Sequence, residues 1–363
     1  MKDLKNFVKT NWDGKSPLLL AYSGGPDSKA LLYALLALNI HSLHVAHVDH
    51  GWRSESSLEA KKIQEEIEQL GLPFYTVRLN PPKEGNWEAV ARQDRFLFFK
   101  KLHQKKSFQA CLLAHQADDL AETTLKRVLE GAHLSFLGGM EKISLFDGMT
   151  LWRPLLGIRR TQIIEFLESQ NKSAFMDPSN KDPLYLRARM RSDIFPFLRE
   201  KFGKRVESNL LVLSRRGLEL KEYLNKKISD RKVDKGPWGE KISFLGLEKI
   251  EARHLLQKLQ PHLSRDFLEA ILTSLLTRKP NCRFSHLLFV DRGILFVLSD
   301  SQPEFTDSFD LSLGKHTSGS WSVEVKLLEK PLPEPNWEDV WRGSFCLALP
   351  KGILALPQKG THF

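Results

Sequence analysis

The sequence predicts an α/β protein: an N-terminal domain built on a parallel sheet, a charged helical linker, and a smaller α+β domain at the C-terminal end. Three observations carry that expectation. Short apolar runs alternate with helix-periodic stretches over roughly the first 130 residues, the pattern of strands joined by crossover helices. A turn rich in Gly and Ser, Ser23–Ser28, stands between the first run and the first helical stretch. Beyond about residue 280 the texture becomes strand-rich, with an Asp291-Arg292-Gly293 turn between two apolar runs.

Taken in order, Leu18–Tyr22 is an apolar strand and Ser28–Leu38 the helix after it. Ser42–Val48 is a second strand, and Leu58–Leu70 has helical spacing with Gly71 just past its end, a C-cap signal. Pro73–Arg78 is a third strand, Trp87–Leu102 a helix, Ala110–Ala114 a fourth strand and Asp119–Leu129 a helix. Further helices are expected at Ile158–Gln170, Arg191–Gly203 and Val206–Ile228, with a polar loop around Asp177–Pro183. Asp230–Lys241, with its charges and Gly236, Pro237 and Gly239, is expected to be a linker or hinge. Helices at Gly246–Leu259 and Ser264–Leu276 precede a hairpin of Phe284–Val290 and Ile294–Leu298, then strands at Phe309–Leu313, Ser322–Leu328 and Ser344–Leu349. The expected domains are 1–212, a linker at 213–242, and 243–363.

The composition, 41% hydrophobic and 27% charged in 363 residues, excludes a disordered or collagen-like chain. No apolar run approaches about 20 residues, so no membrane span is expected, and Met1-Lys2-Asp3-Leu4-Lys5 is not the start of a secretory signal. Cys111, Cys282 and Cys346 form no CxxC pair and are expected to be reduced thiols of a cytoplasmic protein. The charge is uneven. Residues 1–150 carry 19 basic and 18 acidic side chains, 151–250 carry 22 and 13, and 251–363 carry 13 of each. The excess of the middle hundred suits a polyanion, nucleic acid first, although a solvated basic helical region would read the same way.

The sharpest local signal is Ser23-Gly24-Gly25-Pro26-Asp27-Ser28. Two glycines let the backbone turn and approach a ligand closely. Free amides and a helix N-terminus then face an anion, with Ser23 and Ser28 as further donors. Asp27 suits bare phosphate poorly, which points to a divalent cation or to capping. Neither GxxxxGK[ST] nor GxGxxG is present. Asp49, His50 and Arg53 follow the second strand, at the carboxyl edge of the sheet where ligands bind. His41, His44, His47 and His50 divide between the two faces of that strand and are not expected to hold zinc. Behind the fourth strand lies His115-Gln116-Ala117-Asp118-Asp119-Leu120-Ala121-Glu122. Asp118, Asp119 and Glu122 share a helical face. They either cap the helix or, with Asp27, hold Mg²⁺ against phosphates.

SGGPDS resembles the phosphate loop of the PP-loop ATP pyrophosphatases. SGGPDS, DHGWR (49–53) and AHQADDLAET (114–123), in that order, are similar to the motifs of the tRNA(Ile)-lysidine synthetase family. So are Glu88-Ala89-Val90-Ala91-Arg92 with Arg95, then Arg153-Pro154-Leu155-Leu156, then Asp177-Pro178-Ser179-Asn180 followed by Tyr185, Arg187, Arg189 and Arg191. The match spans about residues 16–200. Trp52, Phe96, Gln116 and Ala188 depart from the usual family residues.

The resemblance implies a PP-loop domain of adenine nucleotide α-hydrolase-like fold. It implies that ATP adenylates O2 of the wobble cytidine in a tRNA(Ile) with a CAU anticodon, and that free L-lysine displaces AMP from C2. ATP would meet Ser23, Gly24, Gly25, Pro26, Asp27, Ser28, Asp49, His50, Arg53 and Arg92. Asp27, Asp118, Asp119 and Glu122 would hold Mg²⁺ and, with His115, form the catalytic set. Arg187, Arg189 and Arg191 would contact the tRNA, since guanidinium forks pair with phosphate and stack on exposed bases. The C-terminal domain would bind the tRNA body, and a homodimer is compatible with the sequence. A thiolase of the same superfamily would want paired cysteines. A small-molecule amide synthetase would lack the Asp177–Arg191 stretch. An RNA-binding module with a vestigial site would not need Asp27, Asp118, Asp119 and Glu122 intact.

Overall fold

A computed structural model describes residues 1–49, 51, 56–79, 87–174, 185–203 and 205–300, and then only 309–310, 312–318, 321–325, 341 and 353–354. His50, Arg53, the Asp177–Asn180 motif and the strand expected at Ser344–Leu349 lie outside the described residues. The chain divides into two compact units, Met1–Lys221 and Glu222–Phe363.

In the first unit, helix α1 (Lys2–Asn11) precedes β1 (Leu18–Ala21), α2 (Pro26–Leu36), β2 (Leu43–Asp49), α3 (Ser56–Gln69), β3 (Phe74–Arg78), α4 (Trp87–Lys106), β4 (Ala110–Leu112) and α5 (Ala117–Leu129). A hairpin of β5 (Ile143–Phe146) and β6 (Met149–Trp152) follows, then α6 (Arg160–Ser169), α7 (Leu186–Arg189), a π-turn at Met190–Ile194, α8 (Phe195–Phe202) and α9 (Val206–Lys227). The strands form one sheet in the order β3-β2-β1-β4-β6-β5, parallel except for the edge strand β5. Adjacent residues of β1 serve opposite faces. Leu18 and Leu20 pack with α1, α2, α3 and α6 residues, whereas Leu19 packs with Phe96 and Phe99 of α4. Both faces are therefore covered, which is why β1 is a continuous apolar run rather than an alternating one. Each such buried leucine contributes roughly 1.5–3 kcal/mol of burial free energy. The strand order reverses between β1 and β4, so the segments following these two strands open into one crevice at the carboxyl edge.

The second unit is α+β. β7 (Asp234–Gly236), β8 (Gly239–Ser243), β9 (Cys282–Arg283), β10 (Leu288–Asp291) and β11 (Ile294–Leu298) make an antiparallel sheet in the order β7-β8-β11-β10-β9. Helices α10 (Lys249–Leu259) and α11 (Arg265–Leu276) pack on it through Leu255, Leu256, Ile271 and Leu272 against Ile242, Val290 and Leu295. The segment expected as a linker, 213–242, contains the boundary between the units and is regular structure throughout much of its length. Its first part continues α9, and Asp230–Lys241 supplies β7 and the start of β8, because Gly236–Gly239 closes a hairpin and Gly239 has a φ of 139°. The described remainder holds a hairpin at 314–318 and 321–325 and a short pair at 309–310 and 353–354.

Candidate active site

The phosphate loop is built as its sequence demands. Gly24 has a φ of 78°, a left-handed conformation that disfavours side chains. Gly25 is the N-cap of α2 and Pro26 its first residue, and no side chain caps that end. The amides of the first turn are thus left to a ligand. The two serines brace the turn from inside: Ser28 Oγ donates to Gly25 O at 3.0 Å and lies 3.2 Å from Ser23 Oγ.

Asp27 sits in this first turn with one carboxylate oxygen, Oδ1, buried and without a hydrogen-bond partner. Burial, and then the negative charge of Asp119, push its carboxyl up to about 6. An unpaired acid held beside a second acid is the environment a divalent cation relieves.

Across the crevice, Gln116 caps α5 by accepting from Asp118 N at 2.6 Å, and Asp119 Oδ2 accepts from Gln116 N at 3.1 Å. Each acid then meets arginine. Asp118 binds Arg159 Nη2 at 2.7 Å and the Arg160 amide at 2.8 Å. Arg191 lies between Asp119, at 2.8 Å, and Glu122, which takes its Nε at 2.5 Å and its Nη2 at 3.1 Å. Met190 and Phe195 pack with Ala121 beside Leu210 and Leu211, which carries Arg191 to the face of α5. Glu122 is only 2% exposed, and burial raises its carboxyl against the opposing pull of Arg191.

The four acids expected around one cation are differently engaged here. Asp118 is committed to α6 and Glu122 to Arg191, and no group of three or more metal-ligating side chains is arranged for an ion among the described residues. Of the α5 acids, Asp119 bears most strongly on Asp27, with a smaller effect from Asp118. Mg²⁺ accepts so small a protein contribution, because it takes one or two carboxylates with phosphate oxygens and water. Arg191, expected on the RNA, is turned inward instead, while Arg187 and Arg189 on α7 are exposed.

His115 follows β4. Burial, then Arg153, Arg187, Arg95 and Arg92, hold its imidazole down at about 3, and its Nδ1 is buried without a hydrogen bond. It is neutral at physiological pH, in a strongly positive surrounding. Arg92 also lies 5.1 Å over the Phe96 ring. Asp49 ends β2 and accepts from Gly51 N at 2.9 Å, so it shapes the start of its own loop. His44 and His47 pack within the strand layer: His44 lies 3.0 Å from Tyr75 Oη, and His47 lies 2.9 Å from Tyr22 O. Sequence reasoning missed Arg159 and Arg160. Their signal is the Arg pair that opens α6 just after Arg153–Leu156.

Comparison with known proteins accords with this site. Residues 1–198 match the family model of the PP-loop domain. The chain is 33% identical over 381 residues to the tRNA(Ile)-lysidine synthase of Protochlamydia amoebophila (strain UWE25), covering 100% of this chain and 83% of that protein. It is 43% identical over 227 residues to that of Chlamydia muridarum (62% of this chain, 70% of that one). It is 41% identical over 286 residues to that of Chlamydia trachomatis serovar D (72% and 88%). With a PP-loop domain matched over more than half its length and a relative aligned over the whole of this chain, the chain belongs to the tRNA(Ile)-lysidine synthase family.

Proposed function

We propose that the chain performs the reaction its relatives are named for: ATP-dependent ligation of free lysine to C2 of the wobble cytidine in tRNA(Ile) bearing a CAU anticodon. The observation that carries this reading is the uncapped N-terminus of α2, with Asp27 in its first turn, facing Asp119 across the β1–β4 crevice. Loop amides and serine hydroxyls bind the phosphates. Cytosine O2 attacks the α-phosphorus and diphosphate leaves. The lysine ε-nitrogen then attacks C2, and AMP departs with the former O2. Mg²⁺ between Asp27, Asp119 and the phosphates would offset the charge that develops on transfer.

The chain's own groups divide the remaining work. Arg191 holds Asp119 and Glu122 in place and balances their charge. Arg92, Arg95, Arg153 and Arg187 give the wall around His115 a positive field suited to a nucleotide or an RNA backbone. A histidine held near 3 does not retain a proton taken from lysine, so that proton goes to another acceptor, a carboxylate or water. Arg187 and Arg189 face outward toward the anticodon loop, and the second unit meets the tRNA body. The thiolase alternative finds little support: Cys111 is fully buried with its thiol pushed up to about 12, and among the described residues Cys282 has no cysteine partner.

The test is incorporation of radiolabelled lysine into unmodified tRNA(Ile) with a CAU anticodon, with ATP and Mg²⁺, and tRNA(Met) of the same anticodon as control. Label in the first RNA alone is expected. AMP formation on RNA without lysine incorporation would transfer the chain to a different tRNA modification.

A further inference from the structure

Next to the phosphate loop in sequence and space lies a partly buried ionic cluster that the mechanism above leaves unused. Its centre is Glu66 on α3. Lys29 Nζ pairs with Glu66 Oε1 at 2.9 Å, Tyr33 Oη donates to the same oxygen at 3.1 Å, and Tyr22 Oη donates to Oε2 at 3.2 Å. Tyr22 is the residue immediately before the Ser23–Ser28 hexapeptide and Lys29 the residue immediately after it. One carboxylate therefore grips both ends of the loop.

The grip is reinforced on each side. Tyr22 N donates to Ala46 O at 2.8 Å, and Tyr22 O meets His47 Nδ1 at 2.9 Å, so β2 fixes its backbone while Glu66 fixes its ring. Lys29 N donates to Gly25 O at 2.9 Å as the first helical bond of α2, and the ammonium of Lys172 stacks 4.6 Å over the Tyr33 ring. Burial and the Glu66 charge push the Tyr22 phenol well up and the Tyr33 phenol to about 12, so both remain donors throughout the working range.

We propose that Glu66 is a positioning residue for ATP: by clasping Tyr22 and Lys29 it sets the aim of the loop amides between them. This rests on the reading of the hexapeptide as the ATP phosphate site. A loop whose two glycines leave it free to flex needs its ends held, because donors misplaced by about 1 Å lose most of their effect on a transferring phosphoryl group. The side chains of Lys29 and Tyr22 meet Glu66 while their backbones frame the loop, so the clasp acts through the backbone.

The experiment compares wild type, Glu66→Ala, Glu66→Gln and the double variant Glu66→Gln/Lys29→Met. It measures ATP binding by calorimetry, separate KM values for ATP, lysine and tRNA, and melting temperature. Glu66→Ala is expected to raise KM for ATP at least about tenfold, leaving KM for lysine and for tRNA within about twofold. The double variant leaves no ammonium unpaired but releases Lys29, and the single amide oxygen of Gln replaces only one of the two oxygens to which Tyr22 and Tyr33 donate, so it is expected to melt near wild type while its KM for ATP stays raised at least about threefold. An ATP KM unchanged in Glu66→Ala, or a wild-type ATP KM in a double variant that melts like wild type, overturns the clasp. If Glu66→Ala does not fold, the double variant alone decides. Absence of ATP binding in the wild-type protein would instead overturn the reading of the loop.

Discussion

Asp27 should destabilise the ligand-free protein, and replacing it with asparagine should show by how much. Its carboxyl is raised from 3.8 to about 6 by burial and by Asp119, which corresponds to about 3 kcal/mol of free energy spent on keeping it ionised. Solvent reaching this half-buried group trims that to about 2 kcal/mol. The sign follows from linkage. An acid whose folded pKa exceeds its unfolded pKa costs nothing below 3.8, where both states are protonated. The cost grows as pH rises toward 6 and is complete above it. Asp27→Asn therefore melts higher than wild type by about 4–8 °C at pH 7.5, without nucleotide or divalent cation, for a unit of this size. The gain shrinks to nothing as pH falls toward 4. Wild type, and not the variant, is then stabilised by ATP with Mg²⁺. Melting curves at several pH values in chelator measure this. An Asp27→Asn variant no more stable than wild type at pH 7.5, or a gain that does not change with pH, would refute the argument.

Three further outcomes are expected. Gly217→Ala places a Cβ 2.9 Å from both Gly138 N and Leu134 O, where α9 meets the turn after α5, and should cost about 1–3 kcal/mol in denaturant unfolding; a neutral result would mean that contact is loose. Arg191→Ala leaves Asp119 and the buried Glu122 without their counter-charge and should cost about 2–4 kcal/mol, part of it restored by adding Glu122→Gln; wild-type melting of the single variant would contradict it. His115→Gln should leave the acid limb of the pH–rate profile in place, since the imidazole is already neutral above about 3; loss of that limb would assign the titration to His115.

Much of the parallel sheet is legible because burial on both faces writes continuous apolar runs, as in Leu18–Leu20, bounded by turn residues. The phosphate loop is legible because only glycine accepts the conformation of residue 24. α2 begins at Pro26, ahead of the expected Ser28, because proline already has helical φ and needs no donor there. The β5–β6 hairpin escaped notice because β5 is an exposed edge, with Leu145 73% accessible, and shows no buried alternation. Its signal was the Asp147-Gly148 turn, where both residues have positive φ. The acids of α5 were legible as a helical face, but their partners were not. Arg191 lies 69 residues from Glu122, and nothing local says that it turns inward. Charges that pair through tertiary packing look in sequence like charges free to meet RNA.

The central claim is that cytosine O2 is the atom adenylated and then displaced. The direct test is to place ¹⁸O at O2 of the wobble cytidine in tRNA(Ile), run the reaction with lysine, ATP and Mg²⁺, and weigh the AMP. AMP heavier by one ¹⁸O is expected for each lysine incorporated. Unlabelled AMP alongside lysine incorporation would mean that adenylation occurs elsewhere and would contradict the mechanism assigned to this site.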